Sequence, residues 1–339
     1  MIRVLFAAAC LALLAATAQA GGLDDLKAAN AAAEAGNADA AIRLFSQALA
    51  AGDLSPADQL AARKGRGSGS TTKSLIADAF ERLDQARRLR EEAIAYFTAA
   101  LAIKPDDASV YVARAQNHHL NSQYDAAIAD FDAALKLNNS ADTLVERANS
   151  LVAKGDTDRA VADYTAALAL AGKDAKPGGL DASDIYSERG YAQFIGARYA
   201  AAADDFDKAL TLGSAARAGD VLWLPYQAAW LHIARARAGQ NDAEELARNA
   251  GKIDLKQWPG TLVAFFLGQA TLDQLSPPSS HGAMGHAREC NLAFFSGQQA
   301  LIKNDSAEAA RQFTRARAVC NIHTVLYLAV GVELQRLGK

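Results

Sequence analysis

A short pattern of small and aromatic residues recurs five times in the first two thirds of the chain. Each copy has a small residue, an aromatic residue four positions later, and an alanine three positions after that. These spacings place the three side chains on one face of a helix, where alanine lets a second helix approach closely. The five copies are Ala41/Phe45/Ala48, Ala93/Phe97/Ala100, Ala127/Phe131/Ala134, Ala160/Tyr164/Ala167 and Ala202/Phe206/Ala209.

The copies return with a period close to 34 residues. Ala127 and Ala160 are 33 positions apart, and Ala160 and Ala202 are 42 apart because of the loop-like sequence 172–181. Such periods are typical of solenoids, in which each unit buries its apolar face against the next. The one ambiguous apolar run, 325–332, continues into further helix-forming residues and is long enough to be helical. We therefore predict an all-α fold.

This pattern resembles the second helix of the tetratricopeptide repeat (TPR) family, whose unit is a helix–turn–helix. Further matches in the first helix and the turn are Tyr111, Tyr186, Ala115, Ala148, Gly190, Gly36 and Gly155. The resemblance implies a right-handed superhelix with repeats in 21–216 and a concave wall made by the first helices. The C-terminal region, 217–339, would end in a capping helix near Thr324–Leu337.

A further set of residues in the C-terminal third is shared with a narrower group of repeat proteins. The set comprises Trp230-Leu231, Trp258-Pro259, Phe266 to Gly268, Glu289-Cys290, Phe295 to Gln298 and Glu333 to Leu337. It resembles NlpI-type TPR proteins of the bacterial envelope. The resemblance implies a periplasmic adaptor that brings cell-wall hydrolases and a processing protease together. Lipid-anchored members carry a cysteine at the mature N-terminus, and this chain carries none at the predicted one.

The first twenty residues have the pattern of a secretory signal peptide. Arg3 precedes an apolar run, Val4 to Ala16, and Ala18-Gln19-Ala20 has the small-x-small cleavage pattern. We predict cleavage after Ala20, a periplasmic or secreted protein, and no integral membrane segment after cleavage. The net charge of −3 argues against nucleic acid as the main partner, because phosphate binding needs clustered basic residues.

A second regularity links arginine and aspartate. The arginines lie at one place in the first helix of three repeats and the aspartates at one place in the second, always 16 positions apart. The sets are Arg114, Arg147, Arg189 and Asp130, Asp163, Asp205. We predict structural ion pairs between helices, each worth at most about 1 kcal/mol if partly exposed.

The two cysteines beyond the predicted cleavage site, Cys290 and Cys320, are expected near adjacent ends of antiparallel helices. In an oxidising compartment they would form a disulfide, which we predict. The alternatives are two buried free thiols, or a metal site formed by Cys290 with His281 and His286. Zinc needs three or four converging ligands, and this spacing fits no known ligand pattern, so we expect no metal site.

GRGSGSTTKSL, residues 65–75, is one residue away from the phosphate-binding motif G-x-x-x-x-G-K-S. A nucleotide site would need a buried strand before the loop, but the preceding sequence is polar and helical in pattern. Thr72 replaces the last glycine of the motif, and its Cβ hinders the close approach of phosphate. We therefore predict a mobile loop over 65–73, inserted in the second repeat between helices 57–64 and 74–90.

Projecting the repeat onto the chain places five residues on the concave wall. They are Gln116, His119, Asn149, Tyr191 and Phe194. Polar and aromatic residues there suit a bound peptide or partner helix, although each could instead pack between repeats. His118 is expected on the packing face.

The sequence contains no recognisable catalytic set, so we expect no catalysis and no cofactor. The first hypothesis is an exported adaptor that binds protein or peptide partners in the periplasm. Two alternatives remain open at this point. One is an enzyme acting on cell-envelope polymers, and the other is a structural homo-oligomer, such as a homodimer formed through the C-terminal helices.

Overall fold

The computed structural model describes residues 21–80, 82–171, 181–216, 223–275, 283–322 and 324–339. These residues form seventeen helices and contain no strand, which confirms the predicted all-α fold. In the same ranges, no helix combines the length and apolar character that a membrane crossing requires. The predicted signal peptide, residues 1–20, lies outside the described residues.

The chain divides into two compact units, one ending at Leu137 and the other beginning at Asn138. In the N-terminal unit, consecutive helices pair as α1 with α2, α3 with α4, and α5 with α6. These helices are α1 (Gly22–Glu34), α2 (Ala38–Ala51), α3 (Pro56–Ala79), α4 (Leu83–Ile103), α5 (Ala108–Leu120) and α6 (Tyr124–Leu137).

The C-terminal unit begins with two further helix pairs, α7 with α8 and α9 with α10, and contains a later pair, α15 with α16. The last helix, α17, packs against α9, α15 and α16. The helices are α7 (Ala141–Lys154), α8 (Thr157–Ala171), α9 (Ala182–Ile195), α10 (Tyr199–Ala216), α11 (Trp223–Arg237), α12 (Ala243–Ala250), α13 (Gly260–Phe266), α14 (Leu272–Leu275), α15 (Ala283–Ile302), α16 (Ser306–Val319) and α17 (Val325–Arg336).

Local sequence explains where many helices begin and end. Ser140, Asp181 and Thr324 each accept a hydrogen bond from a backbone N–H of the first turn of the helix that follows. Such N-caps satisfy amide groups that have no partner inside the helix. Gly155 ends α7 with φ of +92°, a left-handed conformation that glycine adopts without steric cost.

The residues of the recurring pattern form the core of the helix pairs. All fifteen side chains of the five copies are at most 2% exposed. Gly190 and Gly297 give the aromatic ring of the paired helix room to approach. A Cβ at Gly190 would lie 2.7 Å from the Phe206 ring, and one at Gly297 would lie 2.5 Å from the Phe313 ring.

The predicted mobile loop over 65–73 is wrong, because α3 runs through it without a break. Its glycines serve close packing rather than a turn. A Cβ at Gly65 would lie 2.2 Å from the Phe45 ring, and one at Gly67 would lie 2.8 Å from the Phe97 ring. Backbone N–H groups inside a helix are engaged within it, so this segment does not form a phosphate-binding loop.

The segment from Trp258 to Leu275 is not one continuous helix. It forms two short helices, α13 and α14, separated by residues 267–271. Gly268 has φ of +73° in this connection and ends the first of them. Glycine adopts this left-handed conformation without steric cost, which suits it to a position just beyond a helix end.

Candidate functional site

Each arginine of the 16-residue regularity contacts its aspartate across a helix pair. Arg147 donates from Nε to Asp163 Oδ2 and from Nη2 to Asp163 Oδ1, both at 2.7 Å. Arg114 makes the same two bonds to Asp130 at 2.7 Å. Arg189 bonds Asp205 at 2.8 and 2.7 Å. All three pairs are bidentate and join the two helices of one repeat.

These pairs are more buried than the sequence suggests. Asp130, Asp163 and Asp205 are 7%, 8% and 2% exposed. The hydrogen bond and charge of Asp205 raise the pKa of Arg189 above its ordinary value, against the lowering effect of burial. Removing one partner would leave the other charge buried, a change that costs about 3–5 kcal/mol in comparable pairs. That cost includes the penalty of an unpaired buried charge, so it is not the net contribution of the pair to stability.

A fourth arginine occupies the equivalent place in the α3–α4 pair. Arg66 directly precedes Gly67, as Arg189 precedes Gly190. Tyr96 stands where the other repeats have aspartate, and the Arg66 guanidinium carbon lies 4.8 Å from the centroid of its ring. The repeated arginine–small-residue dipeptide was the sequence signal for this position. It lies inside the segment that we interpreted as a loop.

Cys290 on α15 and Cys320 at the end of α16 form a disulfide, with Cα atoms 4.8 Å apart. Both residues are buried. Of the histidines in the alternative metal site, His281 lies outside the described residues and His286 is exposed. Within the described ranges, no group of three or more His, Cys, Asp or Glu side chains could hold a metal ion.

The residues predicted for the concave wall have different environments. Phe194 does not lie on an open concave wall, which corrects the prediction. It is 1% exposed and packs edge-on against Trp230, with ring centroids 5.2 Å apart. Its side of the first helix packs against Trp230, which belongs to a region whose sequence departs from the repeat. Asn149 accepts a hydrogen bond from the Tyr164 hydroxyl and so packs within its repeat.

The two wall candidates of the N-terminal unit, Gln116 and His119, are both half-buried on α5. The His119 ring packs edge-on against Tyr124 at 5.5 Å. Its neighbour His118 lies with Nδ1 2.5 Å from Gln123 Oε1 and contributes to packing within the helix pair. Of the five candidates, Tyr191 lines an open groove in the described residues.

Tyr191 lies at the edge of an open groove of about 420 Å³ within the C-terminal unit. Helices α9, α11, α15 and α17 form this groove, which we call the aromatic groove. Two polar side chains, Gln227 and Asn291, reach it. Its other lining side chains are Tyr191, Trp223, Tyr226, Trp230, Val325 and Leu326.

Hydrogen bonding and charge around Tyr191 are unusual for a packing position. Gln227, which is 4% exposed, donates from Nε2 to the Tyr191 hydroxyl at 3.1 Å, while its Oε1 is buried without a partner. Burial and the nearby Asp184 carboxylate raise the pKa of Glu188 from 4.5 to about 7. Burial, Glu188 and Asp184 in turn raise the pKa of Tyr191. The groove therefore has aromatic walls and one buried acceptor without a partner. The acidic residues Glu188 and Asp184 act on Tyr191 at one wall, and the Arg288 cation acts on Tyr226 at another.

Comparison with family models identifies the repeats. Residues 108–140 and residues 145–221 match two models that are both described as tetratricopeptide repeat. These segments are tetratricopeptide repeats. They contain helices α5, α6 and α8 to α10 and most of α7, and therefore all three bidentate Arg–Asp pairs.

A solved structure of a repeat protein shows the same fold, and further solved structures are similar to parts of the chain. A TPR protein from Parabacteroides merdae ATCC 43184 superposes with a TM-score of 0.55 at 13% identity, over 91% of this chain and 98% of that one. The MamA protein has 17% identity and a TM-score of 0.47, covering 58% of this chain and 94% of its own. The C-terminal part of a TPR protein from Cytophaga hutchinsonii has 14% identity and a TM-score of 0.47, covering 87% and 95%. The search among curated proteins found no match.

Beyond the matched TPR segments, the C-terminal region joins the repeats through Trp230. Its ring contacts Tyr191 and Phe206 of the last matched repeat at 4.9 and 5.8 Å, and Phe294 and Phe295 of α15 at 5.0 and 5.8 Å. Aromatic pairs at these distances add stability beyond the apolar area they bury. One side chain on α11 thus forms a common core between the TPR helices and the C-terminal helices.

Proposed function

We propose that this protein is an exported TPR adaptor that binds protein partners in the bacterial cell envelope and carries out no chemistry of its own. The observation that carries the proposal is the aromatic groove. Solenoid repeats use extended surfaces of this kind for binding, and partly exposed aromatic side chains contribute strongly to binding energy. Trp223 and Tyr226 are half-buried at this groove rather than enclosed in the core.

Export is supported by two independent features. The first twenty residues have the pattern of a signal peptide. The disulfide between Cys290 and Cys320 is of a kind that persists in oxidising compartments such as the periplasm. The C-terminal resemblance to NlpI-type proteins supports partners among cell-wall hydrolases or an envelope protease.

Site-specific photo-crosslinking in the native bacterium tests the proposal. A benzoylphenylalanine at Asn291, which lines the groove, should capture one or a few periplasmic proteins of defined mass. The control position is Glu244, whose side chain is 97% exposed on α12 away from the groove. Identical adducts at both positions, or none at Asn291 in a correctly folded and exported protein, would contradict groove-mediated binding.

The absence of catalysis is tested separately. The purified protein is incubated with peptidoglycan, alone and together with any captured partner. We expect soluble fragments only when an active partner is present. Fragments released by the purified protein alone would overturn the non-catalytic part of the proposal.

A further inference from the structure

The side-chain amide of Gln227 indicates which kind of chemical group the aromatic groove binds. Its Oε1 is buried and accepts no hydrogen bond among the described residues, although its Nε2 is used by Tyr191. A buried acceptor without a partner carries a desolvation penalty that a ligand donor would remove. The groove is therefore complementary to a group that donates hydrogen bonds.

The acidic side chains near Tyr191 bear on whether the hydrogen-bond donor of the ligand carries a charge. Glu188 lies three residues before Tyr191 on α9, and its carboxylate acts on the Tyr191 hydroxyl. In the described part of the chain, we find no hydrogen bond or ion pair that engages the Glu188 carboxylate. Asp184, one further turn back, adds a second negative charge that acts on the same hydroxyl. A positively charged donor complements the acidic residues on the Tyr191 side of the groove, whereas the Arg288 cation acts on Tyr226.

The walls of the groove also favour a cation. Aromatic ring faces attract ammonium and guanidinium groups, and tryptophan does so most strongly. Arg288 already stacks on Trp258, with its guanidinium carbon 4.7 Å from the ring centroid, and Trp258 packs against Tyr226. The aromatic surface that continues into the groove thus holds one cation of the protein itself.

We propose that the aromatic groove binds a lysine or arginine side chain presented by an extended segment of a partner protein. This inference rests on the proposed adaptor function and adds the chemistry of the partner. The cation would lie against the tryptophan rings and donate to Gln227 Oε1. A volume of about 420 Å³ and the apolar side chains of Val325 and Leu326 leave room for an apolar neighbour in the same segment.

Intrinsic fluorescence provides a local readout, because the three tryptophans of the chain are Trp223, Trp230 and Trp258, all in or beside the groove. The full mature protein is titrated with capped pentapeptides Ala-Leu-X-Leu-Ala. X is lysine, its uncharged analogue norleucine, arginine, its uncharged analogue citrulline, or glutamate. We expect the lysine and arginine peptides to bind at least about tenfold more tightly than their uncharged analogues, with affinity falling as salt rises.

Two variants connect the effect to the groove. Gln227→Leu should remove most of the preference for lysine over norleucine while leaving norleucine binding unchanged. The matched control is Gln299→Leu, because Gln299 Oε1 is also buried without a partner but does not line the groove. It should leave the preference intact, and circular dichroism checks that both variants fold.

Other results of these experiments would overturn all or part of the inference. Equal affinity for lysine and norleucine peptides in the unmodified protein, or a preference for glutamate, would overturn the proposal without any variant. Free n-butylammonium binding as tightly as the lysine peptide would overturn the assignment to a peptide segment. Crosslinking at Asn291 combined with no preference for cations would leave the adaptor function standing and reject this inference alone.

Discussion

Arg237 on α11 and Glu333 on α17 meet with Nη1 and Oε1 3.0 Å apart, although 96 positions separate them in the chain. Glu333 is 1% exposed and also accepts from Arg336 at 3.1 Å. Arg237 also donates to Gln298 on α15 at 2.7 Å. The last helix is therefore fixed to the C-terminal unit by a buried network of charges and hydrogen bonds as well as by apolar packing.

Replacing Glu333 by glutamine should lower the stability of the C-terminal unit by about 3 kcal/mol, because it leaves Arg237 partly buried without its counter-charge. Urea unfolding followed by circular dichroism measures the change. The exposed pair Arg248–Glu244 is the matched control, and Glu244→Gln should change stability by less than about 0.5 kcal/mol. Equal effects of the two substitutions would show that the network does not hold α17.

Lysine cannot replace arginine in the bidentate pairs. Arg147→Lys should destabilise the protein by about 1–2 kcal/mol, since one ammonium cannot reproduce two parallel bonds to Asp163. Arg159→Lys serves as the control, because Arg159 forms an exposed pair with Asp156 at 3.5 Å. Thermal unfolding of both variants distinguishes a buried bidentate pair from a surface contact, for which the two shifts would be equally small.

Alanine in place of Gly67 should destabilise the N-terminal unit, although alanine normally stabilises a helix. The added Cβ would meet the Phe97 ring at 2.8 Å and force the helices apart, at a cost of about 1–3 kcal/mol. At the neighbouring exposed position, Ser68→Ala should be neutral or slightly stabilising. A Gly67→Ala protein with an unchanged or raised urea midpoint would be incompatible with this packing.

Glu188 should make stability depend on pH between about 4.5 and 7. Its folded-state pKa is raised to about 7, so the folded protein binds the proton more tightly and loses stability as pH rises through this window. The Asp184 charge opposes the ionisation of Glu188. The Glu188 charge in turn acts on Tyr164 and Tyr191. Glu188→Gln should therefore raise the melting temperature more at pH 8 than at pH 5.

The control for this pH dependence is Glu244→Gln, which changes an exposed glutamate in the same unit. It should shift the melting temperature by similar small amounts at both pH values. If Glu188→Gln behaves in the same way, the Glu188 carboxyl group titrates as it would in water.

Reduction of the disulfide should destabilise the C-terminal unit by about 3–4 kcal/mol, as the chain-entropy model gives for a closed loop of this length. The bond joins residues 30 positions apart and closes the α15–α16 pair. A Cys290→Ala/Cys320→Ala variant should show the same loss and become insensitive to dithiothreitol. Loss of stability in dithiothreitol by this variant would mean that the reductant acts elsewhere.

Sequence spacing predicted the features that depend on residues close together in the chain. Phe131 and its flanking alanines, and the pair Arg147–Asp163, follow from helical periodicity within one repeat. The glycines of α3 were misread because glycine serves both turns and close helix packing, and composition alone does not separate these uses. The dipeptide Arg66-Gly67, in register with Phe97, was the signal that would have corrected the prediction.

The aromatic groove could not be assembled from the sequence. Trp223 and Tyr226 lie outside the repeat register, and Val325 is about a hundred positions further along the chain. Their convergence depends on how α11 and α17 pack on the last TPR pair, which no local pattern encodes. For the same reason Tyr191 and Phe194, three residues apart on one helix, have different environments, one beside the groove and one in the core.

The glycines of α3 also make this helix dependent on the helices beside it. Gly65, Gly67 and Gly69 each cost about 1 kcal/mol of intrinsic helix stability relative to alanine, so this segment is a poor nucleus by itself. Its helical state depends on the rings of Phe45 and Phe97, which its neighbours supply. The stability of α3 therefore depends on its packing between α2 and α4.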